Sequence, residues 1–407
     1  MPLGRVVIAG ASLAGLRATE ALRRLGYDGD ITIVGDELEY PYDRPPLSKQ
    51  VLSGAWEQDR ALLVVQGETE DLDADWRLGI AATGLDLADR SVQLANGTTV
   101  GYDGLIIATG ARARHLPGTE GVPGVHVLRT LNDSLALRAE LEAGPKRVVV
   151  VGAGFIGAEV AATARKLDLA VTMVEPLETP LARAMPAKIG EVVAGLHRGH
   201  GVDVRLGVGV DRVAVGDDGR ASGVVLSDGA TINASVVVVG IGVIPNTEWL
   251  DESGLTIGNG VVCDETCMAA PDVVAAGDVA RWPNPRYGEV MRVEHWDHAA
   301  DQAEYAAQRL LAWDVDEPVE PYAPVPWFWS DQYDRKIQFA GHSSANDDIV
   351  VIDGSLEDRR FVALFGRGGK VVGVLGMNRP APVMRWRNRI VDGATWDDAL
   401  AAASDAQ

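Results

Sequence analysis

Cysteine is scarce in this chain, which has only Cys263 and Cys267 among its 407 residues. Two cysteines cannot form the disulfide framework of a cysteine-rich secreted domain. Apolar runs are short as well, and none reaches the roughly 18 residues needed to span a bilayer. The segment Met1–Ile8 lacks the charged, apolar and small-residue order of a signal peptide. We therefore expect a cytoplasmic protein with no membrane partner.

Basic residues are outnumbered, because 37 lysines and arginines face 58 aspartates and glutamates and leave a net charge of −21. This balance disfavours binding to nucleic acid or to an anionic membrane. An acidic protein partner would need a local basic patch. At roughly 100–200 residues per domain, the length predicts two to four globular domains.

A glycine-rich turn lies near the start of the chain. The apolar strand Arg5–Ala9 runs into Gly10-Ala11-Ser12-Leu13-Ala14-Gly15, a helical stretch follows, and the strand Ile31–Val34 leads to Asp36. In such a strand–turn–helix–strand unit the first glycine permits the tight turn and the last lets the helix pack on the strand. The pyrophosphate of a dinucleotide lies at the helix N-terminus, and the acid accepts from ribose hydroxyls. Ser12 replaces the usual middle glycine and is still small.

The same pattern occurs a second time. The strand Arg147–Val151 meets Gly152-Ala153-Gly154-Phe155-Ile156-Gly157, which is an unbroken G-x-G-x-x-G, and Glu175 ends the next strand. A glutamate there favours the free 2′-hydroxyl of NAD over the 2′-phosphate of NADP, although Arg183 nearby would soften this preference. Two copies in one chain indicate two dinucleotides, so that electrons pass from one to the other.

Two further strands end in small residues, before Ala108-Thr109-Gly110 and Gly240. Each follows a predicted hairpin, Ser91–Val100 with an Asn-Gly turn and Ala221–Ile232 with an Asp-Gly turn. A third apolar strand delivers Asp278 directly after Gly277. The residues alone leave two roles open for Asp278, the N-cap of a following helix or a ligand of the ribityl chain of a flavin.

Taken in order, the motifs closely resemble those of the putidaredoxin-reductase-like flavoproteins. These are FAD-dependent ferredoxin reductases that serve haem-thiolate monooxygenases and ring-hydroxylating dioxygenases. The most specific segments are Tyr42-Asp43-Arg44-Pro45-Pro46-Leu47-Ser48-Lys49 and Trp327-Phe328-Trp329-Ser330-Asp331-Gln332-Tyr333. The resemblance implies an α/β fold with two Rossmann-like nucleotide-binding domains and a C-terminal α+β domain. The implied FAD domain covers 1–112 and 241–318, the NAD domain 113–240 and the C-terminal domain 319–407.

The resemblance also implies roles for individual residues. Lys49 would lie near flavin N5 and Trp329 would flank the isoalloxazine, and we take these two as the catalytic residues. The other residues implied for FAD are Gly10, Ser12, Ala14, Gly15, Asp36, Arg44, Ala82, Thr109, Gly110, Arg129, Gly277, Asp278 and Trp296. Those implied for NAD are Gly152, Gly154, Ile156, Gly157, Glu159 and Glu175.

Some of these residues have plainer alternatives. Alternation along a strand would send Trp327 and Trp329 to one face, where both would serve as core aromatics. Phe155 would either gate the nicotinamide or only pack. His295 and His298 have the spacing of a metal pair, but no further ligands cluster with them, and we predict no metal site.

The positions of the two cysteines disfavour a disulfide reductase. Neither lies at the positions where disulfide reductases of this fold carry a redox pair, and an extended segment would hold their Cα atoms beyond the roughly 7 Å limit of a disulfide. No cluster-binding cysteine spacing is present. We therefore predict that the chain passes electrons from NADH through FAD to an external [2Fe-2S] ferredoxin. Its candidate docking residues are Arg335, Lys336, Arg379, Arg385, Arg387 and Arg389, which would otherwise be solvated charges that balance nearby acids.

Three alternatives stay open at this point. The chain would be an NADH oxidase if the electrons pass to oxygen, or a rubredoxin reductase if the acceptor is rubredoxin. It would be a non-enzymatic signalling flavoprotein if it binds NADH without turnover.

Overall fold

The computed structural model describes residues 3–64 and 72–405. The helices in these ranges are α1 (Leu13–Arg24), α2 (Leu131–Glu142), α3 (Phe155–Lys166), α4 (Ala187–Gly199), α5 (Trp296–Asp314), α6 (Pro380–Val391) and α7 (Trp396–Asp405). Short 3₁₀ turns lie at Pro45–Ser48, Gln58–Ala61, Glu248–Leu250 and Gly277–Val279. In the described part of the chain, no helix is long and apolar enough to cross a membrane.

The strands of the first half are β1 (Arg5–Ala9), β2 (Asp30–Val34), β3 (Ala74–Arg77), β4 (Ala82–Asp86), β5 (Ser91–Leu94), β6 (Thr99–Gly101), β7 (Gly104–Ile107), β8 (Ala111–Ala113), β9 (Val125–His126), β10 (Val148–Val151), β11 (Val171–Glu175), β12 (Asp203–Leu206) and β13 (Val210–Val215). Those of the second half are β14 (Ala221–Leu226), β15 (Thr231–Asn233), β16 (Val236–Val239), β17 (Val243–Pro245), β18 (Val261–Val262), β19 (Met268–Ala270), β20 (Val273–Ala275), β21 (Ala280–Asn284), β22 (Glu289–Met291), β23 (Trp327–Gln332), β24 (Arg335–Gly341), β25 (Asp348–Ser355), β26 (Arg360–Arg367) and β27 (Lys370–Met377).

The chain divides into two compact units. The first unit comprises Met1–Asp43, Leu62–Arg112 and Ile244–Pro326, and the second comprises Arg44–Ala61, Ala113–Val243 and Trp327–Gln407. Each unit contains one of the two glycine-rich turns.

The first unit is built on a six-stranded sheet in the order β19-β20-β7-β1-β2-β3, which is parallel except for β19. Along β1, Val7 and Ala9 belong to one hydrophobic core, and Val6 and Ile8 belong to another. Both faces of the sheet are therefore covered, which explains why its strands are continuously apolar. Two small sheets, β4-β5-β6 and β18-β21-β22, complete this unit.

The second unit repeats this plan with a five-stranded parallel sheet in the order β12-β11-β10-β16-β9. Alternate valines of β10 again belong to separate cores. The unit also contains an antiparallel sheet in the order β23-β24-β27-β26-β25, in which β23 is an edge strand. Both predicted hairpins are present, as β5–β6 and β14–β15.

One local expectation was wrong. The segment between the cysteines is a turn and not an extended strand, since the amide of Cys267 donates to the carbonyl of Asp264 at 3.1 Å. The Asp264 carboxylate also accepts from the amides of Thr266 and Met268. This aspartate-centred turn outweighs the β-branched sequence before it. Both cysteines are nevertheless free and buried, as the prediction of a structural role requires.

Candidate functional site

The first glycine turn requires two of its glycines for different reasons. Gly10 has φ of +127°, and a Cβ there would lie 2.0 Å from the carbonyl oxygen of Ala108. A Cβ on Gly15 would lie 1.9 Å from the carbonyl oxygen of Gly10. Ser12 is the N-cap residue of α1, and its carbonyl accepts from the amide of Leu16. The turn is thus closed on its inner side and leads directly into a helix N-terminus.

The second turn repeats this geometry. Gly152 has φ of +99°, and a Cβ there would lie 2.3 Å from the carbonyl oxygen of Gly240. A Cβ on Gly157 would lie 2.2 Å from the carbonyl oxygen of Gly152. Gly154 differs, because a Cβ there would meet no atom within 4 Å. Gly154 is the N-cap residue of α3, so the open space lies at the start of the helix, where amide groups lack intrahelical acceptors. A cradle of this kind suits a pyrophosphate.

An acid ends each copy of the pattern. Glu175 closes β11, and its carboxylate accepts from the amide of Ala153 at 2.8 Å and from that of Leu177 at 3.1 Å. The acid predicted to read the ribose is therefore held against the glycine turn itself. Asp36 is exposed just beyond β2, the strand whose last residue, Val34, accepts from the amide of Gly10 at 2.7 Å.

Gly277 and Asp278 lie next to the first turn. Gly277 has φ of +76°, and a Cβ there would lie 3.2 Å from the Cβ of Ala14. The Gly277 amide donates to Oε1 of the buried Gln302 at 2.9 Å. Asp278 is buried, and the strand β21 follows its short 3₁₀ turn, so the alternative of an α-helical N-cap was wrong. The cofactor role of Asp278 stays a prediction.

Other predicted residues of the first unit are held by local contacts. The hydroxyl of Thr109 donates to the Asn246 carbonyl, and the Asn246 amide group returns a bond to the Thr109 carbonyl. The next residue, Gly110, accepts from the Asn246 backbone amide at 3.0 Å. Trp296 begins α5, and its indole donates to Asp43 at 2.8 Å. Ala82 begins β4 and is half-buried.

In the second unit, the loop that carries Lys49 is fastened to two helices. Its Leu47 carbonyl accepts from Ser134 of α2 at 2.7 Å, and its Ser48 carbonyl accepts from Thr163 of α3 at 2.7 Å. At its start, Arg44 donates to the Arg129 carbonyl at 2.6 Å. The position of Lys49 is therefore set by anchors on both sides of the prolines, the Arg44 side chain before them and the Leu47 and Ser48 carbonyls after them.

Lys49 forms a buried ion pair with Glu159 of α3. Nζ lies 2.8 Å from Oε2, and the two side chains are 12% and 4% exposed. Ser48 and Ser330 each donate a hydroxyl to the same carboxylate, the latter at 2.7 Å. A charge at this depth requires such saturation. The sequence had suggested Lys49 for FAD and Glu159 for NAD, whereas the structure joins the two residues, and neither serine was among the predicted site residues.

The strand β23 presents different residues on its two faces. Trp327 and Trp329 lie on one face with ring centroids 5.1 Å apart, which confirms the predicted alternation. On the other face the rings of Phe328 and Phe155 have centroids 4.6 Å apart, so Phe155 packs against Phe328 in this structure. Its neighbour Ile156 is 47% exposed.

No group of residues in the described ranges has the composition and geometry of a metal site. His298 instead stacks on Trp282 at 4.8 Å, and burial lowers its pKa to about 3. Burial likewise raises the pKa of the Cys263 thiol to about 12 and that of Cys267 well above its usual range. Neither thiol is suited to nucleophilic or redox exchange.

Comparison with known proteins agrees with this geometry. Residues 4–303 match the family described as pyridine nucleotide-disulphide oxidoreductase, and residues 327–407 match the reductase C-terminal family. The chain is 40% identical over 385 residues to rhodocoxin reductase of Rhodococcus erythropolis, covering 94% of this chain and 88% of that protein. It is 37% identical over 401 residues to the ferredoxin–NAD(+) reductase component of the anthranilate 1,2-dioxygenase system of Burkholderia cepacia, covering 96% and 95%.

Among solved structures, the covalent putidaredoxin reductase–putidaredoxin complex matches with a TM-score of 0.90 and 33% identity, covering 96% of this chain and 94% of that chain. The predicted α/β fold class and the predicted resemblance are both confirmed. The chain belongs to the pyridine nucleotide-disulphide oxidoreductase family, within its putidaredoxin-reductase-like branch.

Proposed function

We propose that this protein is an FAD-dependent NADH:ferredoxin oxidoreductase that serves a monooxygenase or dioxygenase. The observation that carries the proposal is the repeated glycine turn, in which one chain holds two closely similar cradles at helix N-termini. The relatives described above support it, because they include a ferredoxin–NAD(+) reductase component and a reductase that was solved in a covalent complex with putidaredoxin.

FAD is assigned to the first unit and NADH to the second. The first turn is bordered by Gly277 and the buried Asp278, which supply a close backbone approach and a carboxylate for a hydroxylated chain. The second turn has open space at Gly154 and the acid Glu175, which suit a nucleotide with a free 2′-hydroxyl. The roles of individual residues, the three-domain division and a cytoplasmic location stay predictions.

Bound FAD would supply the conversion of a two-electron donor into single electrons. The protein's own residues orient the cofactors and hold charged side chains in fixed positions. Lys49 brings a positive charge that Glu159 and its hydroxyl donors hold in one position. Such preorganised charge costs no rearrangement at the moment of reaction.

A [2Fe-2S] ferredoxin is the proposed acceptor, and the basic helix α6 is its proposed docking surface. Three of the candidate cations are paired with acids, since Arg335 contacts Asp334, Lys336 contacts Asp331 and Arg379 contacts Asp353. The helix α6 carries no acidic residue, and its Arg385 and Arg389 are exposed. Ferredoxins of this kind are typically acidic, and exposed cations would steer such a partner.

Steady-state oxidation of NADH by the holoprotein tests the proposal, with a two-iron ferredoxin, rubredoxin or oxygen as acceptor. We expect fast turnover only with the ferredoxin. Equal turnover with oxygen alone would assign an NADH oxidase, and rubredoxin-dependent turnover would assign a rubredoxin reductase. NADH binding without turnover in any arm would assign a signalling flavoprotein. Arg385→Ala should raise KM for ferredoxin and leave reduction of a small chemical acceptor unchanged, with Arg205→Ala as the matched control.

A further inference from the structure

A line of hydrogen bonds runs from the ion pair to Tyr333 within the second unit. Ser330 bonds to Glu159 at 2.7 Å, Gln332 bonds to Ser330 at 3.1 Å, and Nε2 of His197 lies 3.2 Å from Oε1 of Gln332. The hydroxyl of Tyr333 then lies 2.9 Å from Nδ1 of His197. Ser330, Gln332 and His197 are each fully buried.

Burial and alternation explain how this line arises. Ser330 and Gln332 are two residues apart on β23, so both point to the face that also carries Phe328. That face contacts α3 through Phe155 and Glu159, which lie one helical turn apart. His197 belongs to α4, and Tyr333 follows β23 with φ of +56° and stacks on His200 at 3.7 Å.

The donors in this line have only one consistent direction. An ionised carboxylate can only accept, so the Ser330 hydroxyl donates to Glu159 and its oxygen accepts from the Gln332 amide group. The Gln332 carbonyl must then accept, which requires a proton on Nε2 of His197. Nδ1 of the neutral ring accepts in turn from the Tyr333 hydroxyl.

The protonation states agree with this direction. Burial lowers the pKa of His197 to about 4, so the ring is neutral at physiological pH. Burial raises the pKa of Tyr333, so its hydroxyl keeps its proton. The dipoles of the line therefore all point toward the Glu159 charge.

We propose that Tyr333, His197, Gln332 and Ser330 form a one-directional donor chain that positions the Glu159 carboxylate and, through it, the Lys49 ammonium. Aligned dipoles polarise one another and strengthen the bond at the charged end. The Glu159 carboxylate is held by three donors from two separate segments, Ser48 and Lys49 on the loop and Ser330 on β23, and this arrangement fixes its orientation toward Lys49. The consequence for the reaction rests on the proposed function, but the donor chain itself does not.

The direction of the chain is tested by NMR of the holoprotein with ¹⁵N-labelled histidine. We expect His197 to be the neutral Nε2–H tautomer with a hydrogen-bonded Nδ1. Tyr333→Phe should shift the Nδ1 resonance toward that of a ring nitrogen without a donor, whereas Tyr305→Phe removes the same atom elsewhere and should leave it unchanged. An Nδ1–H tautomer or a charged ring at neutral pH would overturn the proposal.

The functional consequence is tested by rapid mixing of NADH with Ser330→Ala, Ser330→Thr and Gln332→Leu holoproteins. Ser330→Ala loses a donor to the charged carboxylate, and Gln332→Leu loses the donor that polarises the Ser330 hydroxyl, so we expect flavin reduction to slow about tenfold in each. Ser330→Thr keeps the hydroxyl and should restore most of the rate at an unchanged NADH Kd. Wild-type rates in all three variants would overturn the positioning role. A wild-type protein that NADH does not reduce would instead contradict the proposed function. In that case the tautomer of His197 would still test the donor chain.

Discussion

Gly154 and Gly157 belong to the same turn but meet opposite surroundings. A Cβ on Gly157 would lie 2.2 Å from the backbone oxygen of Gly152, whereas a Cβ on Gly154 would meet nothing within 4 Å. Gly157 is thus required by the fold itself. Gly154 faces open space at the N-terminus of α3, where the pyrophosphate of a bound dinucleotide would lie.

Gly154→Ala therefore separates binding from folding. We expect the NADH Kd to rise by about tenfold or more, a loss of roughly 1.4 kcal/mol, while the thermal midpoint and the FAD content stay unchanged. Titration of the holoprotein with NAD(H) measures the first, and a melting curve the second. Gly157→Ala should instead lower the melting temperature, and an unchanged Kd in Gly154→Ala would remove the second turn from the proposed NADH site.

Glu175 should set the choice between the two nicotinamide cofactors. Its carboxylate is fixed by the amides of Ala153 and Leu177, so it would repel a 2′-phosphate at a defined place. We expect Glu175→Gln to raise kcat/KM for NADPH by about tenfold and to lower that for NADH less. Steady-state kinetics with both cofactors measure the ratio, and Glu178→Gln is the nearby control. A ratio unaltered by Glu175→Gln would contradict the assignment.

Lys49→Gln removes the positive charge beside Glu159 and keeps a polar side chain at this position. We expect slower flavin reduction by NADH because the positive charge is lost, whereas FAD content stays near the wild-type level. Stopped-flow absorbance measures the rate. Lys336→Gln removes a half-exposed lysine from its pair with Asp331 and should have no effect. Equal rates for Lys49→Gln and wild type would refute a role for this ammonium.

Glu159→Ala should destabilise the protein strongly. Removal of one partner leaves the Lys49 ammonium buried without compensation, which typically costs about 3–5 kcal/mol. Urea unfolding of the apoprotein measures the free energy. The matched control is Asp203→Ala, which breaks the exposed pair with Arg205 and should cost less than about 1 kcal/mol. A similar small loss in both variants would show that the pair is not buried in solution.

Stability should fall as the pH drops below about 6.5, the usual pKa of an unfolded histidine. Burial lowers the pKa of His197 to about 4 and that of His298 to about 3. In this pH range the two histidines therefore bind protons in the unfolded chain but not in the folded chain. Each buried histidine contributes about 1.4 kcal/mol per pH unit in this window. Urea unfolding between pH 7 and pH 5 should show a shallower slope in His197→Gln, and an unaltered slope would contradict a neutral buried ring. His115→Gln, an exposed control, should not change it.

The regular parts of the fold were predictable because they depend on local patterns. The strand Arg5–Ala9, the strand that ends before Gly240, both hairpins and both glycine turns follow from apolar runs ended by glycine. The cysteine turn was not predictable in this way, because the Asp264 side chain organises it through bonds to three backbone and hydroxyl groups. The composition of this segment suggested a strand, but the hydrogen bonds of the Asp264 side chain form a turn instead.

The ion pair between Lys49 and Glu159 could not be predicted from the sequence, for a different reason. Lys49 and Glu159 are far apart in sequence, and no spacing rule joins a loop after two prolines to the second turn of a helix. A signal was present, because Glu159 interrupts the small, buried residues of α3, and a buried carboxylate needs a partner. The position of Ser330 could also have been predicted, since it alternates with the two tryptophans whose spacing predicted this strand.

The alternation of β23 sets a limit on how this protein can change. Its two faces differ completely, with the tryptophans on one and Phe328, Ser330 and Gln332 on the other. Inserting or deleting one residue before Ser330 would exchange the faces, because side chains in a strand alternate with a period of two. A change of length within the strand is therefore not tolerable, and a designer who grafts this sheet onto another reductase must keep β23 in its original register.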